Sequence, residues 1–290
     1  MTETSEQAAT GSSERAPADA YCRQRAGTHY ENFIVAARWQ NPRLRLDLAR
    51  VYAYCRTTDD LGDESSSDAL VRLTRWRDEV TAMFEGASPI HPVLVALRET
   101  VAQHHLPAKP FLDLIAANVQ DQTVSSYENW ADLQAYCTLS AAPVGRMVLG
   151  VFGMSGVSAE QLSDDVCIGL QLANFAQDVS VDARKGRTYL LQSEIRSSGA
   201  VEATKAHCER ARALLASGYH LEAMAPAALR FQLALYRLGG LAILAAVERA
   251  GYQTGAFRPT VSPAAKAMTL VSAGMRLLRG NSHVGSTETA

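Results

Sequence analysis

The chain has 290 residues, 47% of them hydrophobic, so it can bury a sizeable core in one large domain or two small ones. A formal net charge of −2 argues against general nucleic-acid binding, and five cysteines without CxxC spacing predict reduced, mostly buried thiols in a cytoplasmic protein. The longest wholly apolar run, near residues 241–247, is too short to span a membrane, and the N-terminus lacks the apolar region of a secretory signal.

Apolar residues recur at helical spacing through most of the chain, and alternating strand patterns are scarce. Residues 1–18 carry almost no large apolar side chain, which predicts a disordered tail, and residues 281–290 have a similar composition. The pattern between the tails predicts a single all-α domain over residues 19–280. Its helices are predicted, in chain order, at 20–38, 43–62, 66–85, 91–104, 109–124, 130–138, 142–153, 159–181, 200–217, 219–224, 226–250 and 263–279.

An acidic turn closes the helix predicted at 43–62. Asp59 and Asp63 lie one turn apart on one face, Asp60 joins Asp63 at the i, i+3 spacing, and Arg56 lies one turn before them. Negative charge at a helix C-terminus opposes the macrodipole, and a bound cation would offset that cost. A solvated acidic turn is the alternative interpretation of this stretch taken alone.

A second polar stripe lies on the helix predicted at 159–181. Gln171, Asn174, Asp178 and Asp182 follow helical spacing, and the flanking residues are mostly apolar, so the stripe is expected to face a cavity. Burying two carboxylates together is costly unless cations are present. With the basic run at 184–187 just beyond, this set suits metal ions that hold a polyanion such as a diphosphate.

Both acidic stretches resemble those of the squalene/phytoene synthase family of isoprenoid enzymes, and the match extends from about His29 to Leu278. Residues 52–63 and 174–190 are its most specific segments, and residues 29–33 and 136–145 support them. The resemblance implies an isoprenoid-synthase fold, an all-α helical bundle around a central cavity with the two acidic motifs on opposite walls. It also implies prenyl diphosphate substrates and two or three Mg²⁺ ions.

The resemblance also implies roles for individual side chains. The implied metal ligands are Asp59, Asp63, Asn174, Asp178 and Asp182. The implied catalytic residues are Asp59, Asp60, Asp63, Asp178, Asp182, Tyr52 and Gln177. The residues expected to bind diphosphate or line the cavity are His29, Phe33, Arg56, Tyr136, Val144, Gln171, Asn174, Phe175, Lys185, Arg187 and Tyr189. Ordinary core packing is the alternative for each aromatic residue, and a structural hydrogen bond is the alternative for His29 and Gln177.

Within the family, three features resemble the hydroxysqualene synthases of bacterial hopanoid biosynthesis. They are the segment at 29–33, Gln177 where many relatives carry Arg, and Gly239-Gly240 where true squalene synthases commonly carry an aromatic residue. Such an enzyme would ionise presqualene diphosphate, rearrange the cation and let water capture it, giving hydroxysqualene and diphosphate. Gln177 would orient that water, and the glycine pair would open space for it.

Two other functions remain open. The first is head-to-head condensation of two prenyl diphosphates, as in squalene, dehydrosqualene or phytoene synthases. The second is a non-catalytic family scaffold, although such members usually lose the carboxylates that this chain retains. No glycine-rich nucleotide fingerprint follows a strand pattern, so NADPH is not expected.

The expected partners are the enzymes that supply presqualene diphosphate and reduce hydroxysqualene, and nucleic acid is not among them.

The helix predicted at 263–279 is amphipathic. Packing on the domain is the ordinary use of its apolar side. Peripheral contact with the inner membrane face is the alternative. The residues on that side are Ala264, Met268, Val271, Met275 and Leu278.

Overall fold

The computed structural model describes residues 3–28, 40–63 and 68–280, with side chains for 15–27, 40–63 and 68–275. Nearly all of these residues are helical. No strand occurs among them, and one isolated parallel bridge joins Ser126 to Thr188. The prediction of an all-α fold is therefore confirmed.

Thirteen helices lie within the described ranges. They are α1 (Glu3–Thr28), α2 (Pro42–Asp63), α3 (Ala69–Phe84), α4 (Pro92–His104), α5 (Ala108–Gln120), α6 (Trp130–Ser140), α7 (Ala142–Val151), α8 (Val157–Arg184), α9 (Gln192–Ser198), α10 (Ala200–Ala216), α11 (Gly218–Met224), α12 (Ala227–Arg249) and α13 (Pro263–Gly280). Most predicted helices agree with these bounds within a few residues. Residues 29–38 of the first predicted helix and the predicted C-terminal tail at 281–290 lie outside the described residues.

The first helix begins much earlier than the sequence pattern predicts. It includes residues 3–18, which were expected to form a disordered tail. Ion pairs explain the end of this stretch, because Arg15 contacts Glu99 at 3.2 Å and the buried Asp19 is bound by Arg50 at 2.9 Å. Such partners lie far along the chain, so composition alone does not reveal them.

Helix α9 is absent from the sequence prediction, since seven residues give too few periodic positions to recognise. Contacts with the segment before α6 and with α10 hold α9 in place. Ser193 Oγ donates to the carbonyl of Glu128 at 2.8 Å, and Arg210 of α10 forms an ion pair with Glu194.

The described residues form two compact units. One comprises the described residues up to Thr123 together with 146–155, and the other comprises 124–145 together with the described residues from 156 onward. The prediction of a single domain over 19–280 stays a prediction. No disulfide joins the five cysteines, all of which lie within the described residues.

Helix α2 is the central element of the first unit and packs on α1, α3, α4 and α5. Its Tyr54 ring stacks on Trp76 with 5.7 Å between centroids and meets Phe111 edge-on at 5.0 Å. The Tyr54 hydroxyl donates to the carbonyl of Phe111 at 2.8 Å, so its polar atom is satisfied inside the core. This packing fixes the rotation of α2 and hence the direction of the acidic turn at its end.

Helix α8 is the central element of the second unit and packs on α6, α10, α11 and α12. Among the described residues, α12 is the one helix long and apolar enough to cross a membrane by length and composition. Half of its most apolar stretch is nevertheless buried within the protein. The fully buried Arg237 of α12 pairs with Glu222 at 2.5 Å and lies 3.7 Å from the Tyr219 ring. These are features of a core helix.

Candidate active site

The first acidic motif occupies the last two turns of α2. Asn118 of α5 donates to Asp59 Oδ1 at 3.3 Å, and burial, reinforced by the neighbouring charge of Asp63, raises the pKa of Asp59 to about 6. Asp63 itself is exposed at the helix end. The motif therefore presents one half-buried carboxyl with a raised pKa beside one exposed to water.

Asp60, the third carboxylate of this turn, is engaged by two guanidinium groups. Arg56 contacts it at 2.7 Å from one turn earlier, and Arg25 of α1 contacts its other oxygen. Helical spacing predicts the Arg56 contact, whereas Arg25 carried no recognisable signal in the sequence. The arginines thus compensate Asp60 directly, while Asp59 and Asp63 are the pair that the sequence predicts as metal ligands.

Gly62 allows α5 to approach this turn. A Cβ atom at Gly62 would lie 2.4 Å from Asn118 Oδ1, closer than side-chain contacts allow. The close contact with Asn118 accounts for the glycine at this position. The hydrogen bond from Asn118 to Asp59 therefore depends on the absence of a side chain at Gly62.

The second acidic motif lies on the last turns of α8. Asn174 is exposed and Asp178 and Asp182 are half-buried, each one turn from the next, as the sequence predicts. Arg258, from the segment between α12 and α13, donates to both oxygens of Asp178, with its Nη2 atom 3.2 Å from Oδ2. This hydrogen bonding raises the pKa of the guanidinium.

Gln177 is buried beside that ion pair. Its Nε2 atom donates to the carbonyl of Pro259 at 2.7 Å, and its Oε1 atom accepts from Arg258 at 3.1 Å. The amide therefore fastens the 258–259 segment to α8. The role in orienting water that the sequence suggests for Gln177 stays a prediction.

A basic turn follows α8. The backbone N–H groups of Lys185 and Arg187 both donate to the carbonyl of Asp182 at 2.9 Å, and Gly186 takes a positive φ of 72° that favours glycine. Lys185 is exposed and Arg187 is half-buried. The turn thus holds two basic side chains directly beyond the carboxylates, as the sequence predicts.

Aromatic rings stack beside this turn. Phe175 and Tyr189 lie parallel with centroids 3.8 Å apart, and Tyr136 lies 5.7 Å from Tyr189. Tyr127, which the sequence analysis did not single out, stacks on Tyr189 at 6.0 Å. The Ser126–Thr188 bridge explains its position, because it brings the segment before α6 against the segment after α8. Phe175 and Tyr136, which are expected to line a cavity, are therefore brought together with Tyr189, which is expected to bind diphosphate.

His207 of α10 lies next to this stack and was also missed by the sequence analysis. Its ring centroid is 6.5 Å from that of Phe175, and neither ring nitrogen has a hydrogen-bond partner among the described residues. Complete burial lowers the pKa of His207 to about 3. The imidazole is therefore neutral at ordinary pH.

The remaining predicted residues are spread over both units. Tyr52 is buried in α2, one turn before Arg56, while Val144 and Gln171 are half-buried in α7 and α8. His29 and Phe33 lie outside the described residues.

Gly240, the second residue of the glycine pair in α12, does not open space as expected. A Cβ at Gly240 would lie 2.8 Å from Leu170 and 2.9 Å from Leu215, so this position serves close packing of α12 on α8 and α10. The expectation that Gly240 leaves room for water is wrong, because neighbouring leucine side chains already fill that volume.

The residues present suit Mg²⁺ in their chemistry. Both motifs offer hard carboxylate oxygens one helical turn apart, and a nearby cation would favour the ionised form of Asp59, whose pKa is raised. Within the described ranges, no three His, Cys, Asp or Glu side chains converge as a ready metal site. The carboxylates would therefore hold ions together with substrate oxygens and water, which is common for Mg²⁺.

Comparison with known proteins identifies the relatives of this chain. The squalene/phytoene synthase family model matches residues 26–265. Hydroxysqualene synthase from Rhodopseudomonas palustris is 37% identical over 171 residues, which cover 59% of this chain and 58% of that protein. Phytoene synthase 3 from Zea mays is 33% identical over 190 residues, which cover 63% of this chain and 43% of that protein. The chain thus spans less than two thirds of the length of these relatives.

Solved structures add a comparison of folds. Squalene synthase HpnC from Alicyclobacillus acidocaldarius is 40% identical with a TM-score of 0.77, over 81% of this chain and 95% of that one. A dehydrosqualene synthase in complex with ligand has a TM-score of 0.84 at 22% identity, over 93% of this chain and 99% of that one. The second match shows a shared fold, and the first also supports a close relationship in sequence.

Proposed function

The chain belongs to the squalene/phytoene synthase family, and from this premise we propose that it converts presqualene diphosphate and water to hydroxysqualene and diphosphate. One observation carries the proposal. Three hydroxysqualene synthases are 34–37% identical to the chain, whereas three phytoene synthases are 32–33% identical. The family comprises prenyl-transferring synthases, and the choice of substrate within it is the part proposed here.

The acidic motifs would bind the diphosphate end of the substrate. Asp59 and Asp63 on α2, and Asn174, Asp178 and Asp182 on α8, would hold Mg²⁺. When bound, these ions would neutralise the charge of the leaving diphosphate. Diphosphate is also bound by basic side chains in this proposal, namely Arg56, Lys185 and Arg187.

The aromatic stack would contact the hydrocarbon end. The faces of Phe175, Tyr189 and Tyr136 offer apolar surface and attract positive charge, so they suit a substrate that becomes a carbocation. His207 beside them is neutral, so it adds no repulsive positive charge. In the proposed reaction the carbon–oxygen bond to diphosphate breaks, the cation rearranges, and water forms a new carbon–oxygen bond and loses a proton.

We also propose the partners, the cellular location and the cofactor requirement of the enzyme. The enzymes that make presqualene diphosphate and reduce hydroxysqualene are the proposed partners, in the cytoplasm, and no NADPH is required for water capture. Head-to-head condensation of two prenyl diphosphates is the second candidate function. It is favoured by the phytoene synthase relatives and by the likeness to a protein named as a squalene synthase.

The two functions are separated by incubating the full chain and Mg²⁺ with presqualene diphosphate or farnesyl diphosphate, without NADPH, in water enriched in oxygen-18. Hydroxysqualene that carries the heavy isotope, formed from presqualene diphosphate, is the expected product. Presqualene diphosphate or a C30 hydrocarbon formed from farnesyl diphosphate would instead identify a condensing synthase.

A carboxylate on the same helix provides a matched control. Asp178→Asn should abolish turnover, whereas Asp164→Asn, outside the motif on α8, should retain it. If folded wild-type protein turns over neither substrate, condensation of longer prenyl diphosphates such as geranylgeranyl diphosphate and the scaffold function are the remaining candidates.

A further inference from the structure

Helix α13 turns its apolar side toward solvent. Met268, Val271 and Met275 are 68%, 60% and 47% exposed, and their spacing of three and four residues places them in one stripe. A helix on the surface of a water-soluble protein normally directs such a stripe at the core. The exposed stripe of α13 is therefore the reverse of the usual arrangement.

The opposite side of the helix confirms this reversal. Ala273 is fully buried, and Thr269 and Ser272 are both partly buried on the flank that packs toward the protein. Thr269 satisfies its hydroxyl by donating to the carbonyl of Ala265 at 2.9 Å. Small and hydroxyl residues thus face the protein, while large apolar residues face outward. A continuous apolar surface of this kind marks an interaction site.

The charge of this part of the chain indicates the partner. Residues 250–287 contain four basic residues and no acidic residue, although the whole chain has a net charge of −2. Arg258 is paired with Asp178, which leaves Lys266, Arg276 and Arg279 of α13 to provide positive charge. An apolar stripe with cationic residues on the same helix matches an anionic phospholipid surface.

We propose that α13 docks the protein on an anionic membrane surface as an interfacial helix, with Phe257 as an additional anchor. Phe257 is 52% exposed and lies six residues before the helix begins at Pro263. The stripe enters the boundary between headgroups and acyl chains, and the net positive charge of the segment is attracted to the anionic headgroups. The docking does not depend on which prenyl diphosphate the enzyme uses.

The test is flotation of the full chain with vesicles, in a density gradient at low salt. Vesicles of phosphatidylcholine with phosphatidylglycerol should carry the wild type upward, and pure phosphatidylcholine vesicles should carry much less. Met268→Glu with Val271→Glu should lower the partition coefficient at least about tenfold, because charge replaces two apolar contacts. Lys266→Glu should lower it about threefold, because it reduces the positive charge of the helix that approaches the anionic surface.

Ile90→Glu with Val157→Glu is the matched control, since these residues are 90% and 72% exposed but lie outside α13. This variant should float like the wild type, and circular dichroism should show all variants folded. Wild type that stays in the soluble fraction with both vesicles would overturn the proposal. So would a wild-type dimer that becomes monomeric in the α13 variant without any vesicle binding, because a second copy would then cover the stripe.

Discussion

Arg258 and Asp178, 80 residues apart in sequence, form an ion pair that uses both carboxylate oxygens. The pair forms because the segment after α12 returns to α8, where the carbonyl of Thr254 accepts from the backbone N–H of Ser180 at 3.1 Å. One of the carboxylates assigned to metal ions thus has a cation supplied by the protein itself. A metal ion and Arg258 would compete for the same oxygens.

Removing that competitor should strengthen metal binding. We expect Arg258→Gln to bind Mn²⁺, as a spectroscopic substitute for Mg²⁺, about fivefold more tightly without substrate, since a partly exposed ion pair contributes about 1 kcal/mol. Electron paramagnetic resonance of free Mn²⁺ measures this affinity. Arg249→Gln, near the end of α12, is the control and should leave it unchanged. Equal or weaker binding by the Arg258 variant would show that the arginine does not compete.

The raised pKa of Asp59 predicts how the stability of the metal-free protein depends on pH. The folded state retains a proton on Asp59 up to about pH 6, above the ordinary value of 3.8, so folding stability falls as pH rises through this window. Asp59→Asn should remove that loss and raise the free energy of unfolding above pH 6 by roughly 1–2 kcal/mol, allowing for partial solvent contact. Urea unfolding at pH 4.5 and 7.5 measures the difference. Asp63→Asn, at an exposed position, should show a much smaller change.

The buried His207 should give the opposite pH dependence, with folding stability lost as pH falls. Its pKa is about 3 in the folded protein against an ordinary 6.5, so the unfolded chain takes up a proton first and stability is lost as pH falls below 6.5. His207→Leu should therefore gain about 2 kcal/mol over the wild type when pH changes from 8 to 5. Thermal or urea unfolding at the two pH values tests this. Identical pH dependence in both proteins would mean that the imidazole titrates normally.

Gly240 should tolerate no larger side chain. Gly240→Val places atoms against Leu170 and Leu215 and should lower the free energy of unfolding by about 2 kcal/mol. Gly274→Val in α13 is the matched control, because nothing lies within 4 Å of a Cβ there. A thermal melt compares the two. Equal melting temperatures would show that the helices around Gly240 separate easily.

The sequence predicts local features of this protein well. Helix α8 was predicted at 159–181 and runs from Val157 to Arg184, because apolar periodicity reports the buried face of a long helix directly. The same spacing places Asn174, Asp178 and Asp182 on one face without further information. Contacts between helices carry no such signal. The contact of Asn118 with Asp59 spans 59 positions, and the contact of Arg258 with Asp178 spans 80. Neither contact can be recognised before the fold is known.

The Arg50 cluster of the first unit has a consequence for the order in which this protein is made. Arg50 of α2 binds Asp19 of α1 and Glu99 of α4, and Arg15 of α1 also pairs with Glu99, 84 residues later. At about 5–20 residues per second, the ribosome needs roughly 4–17 s to reach Glu99 after it has added Arg15. Helix α1, which is translated first, can therefore form its last ion pair only after α4 has been made. Until then its charged residues are exposed to water.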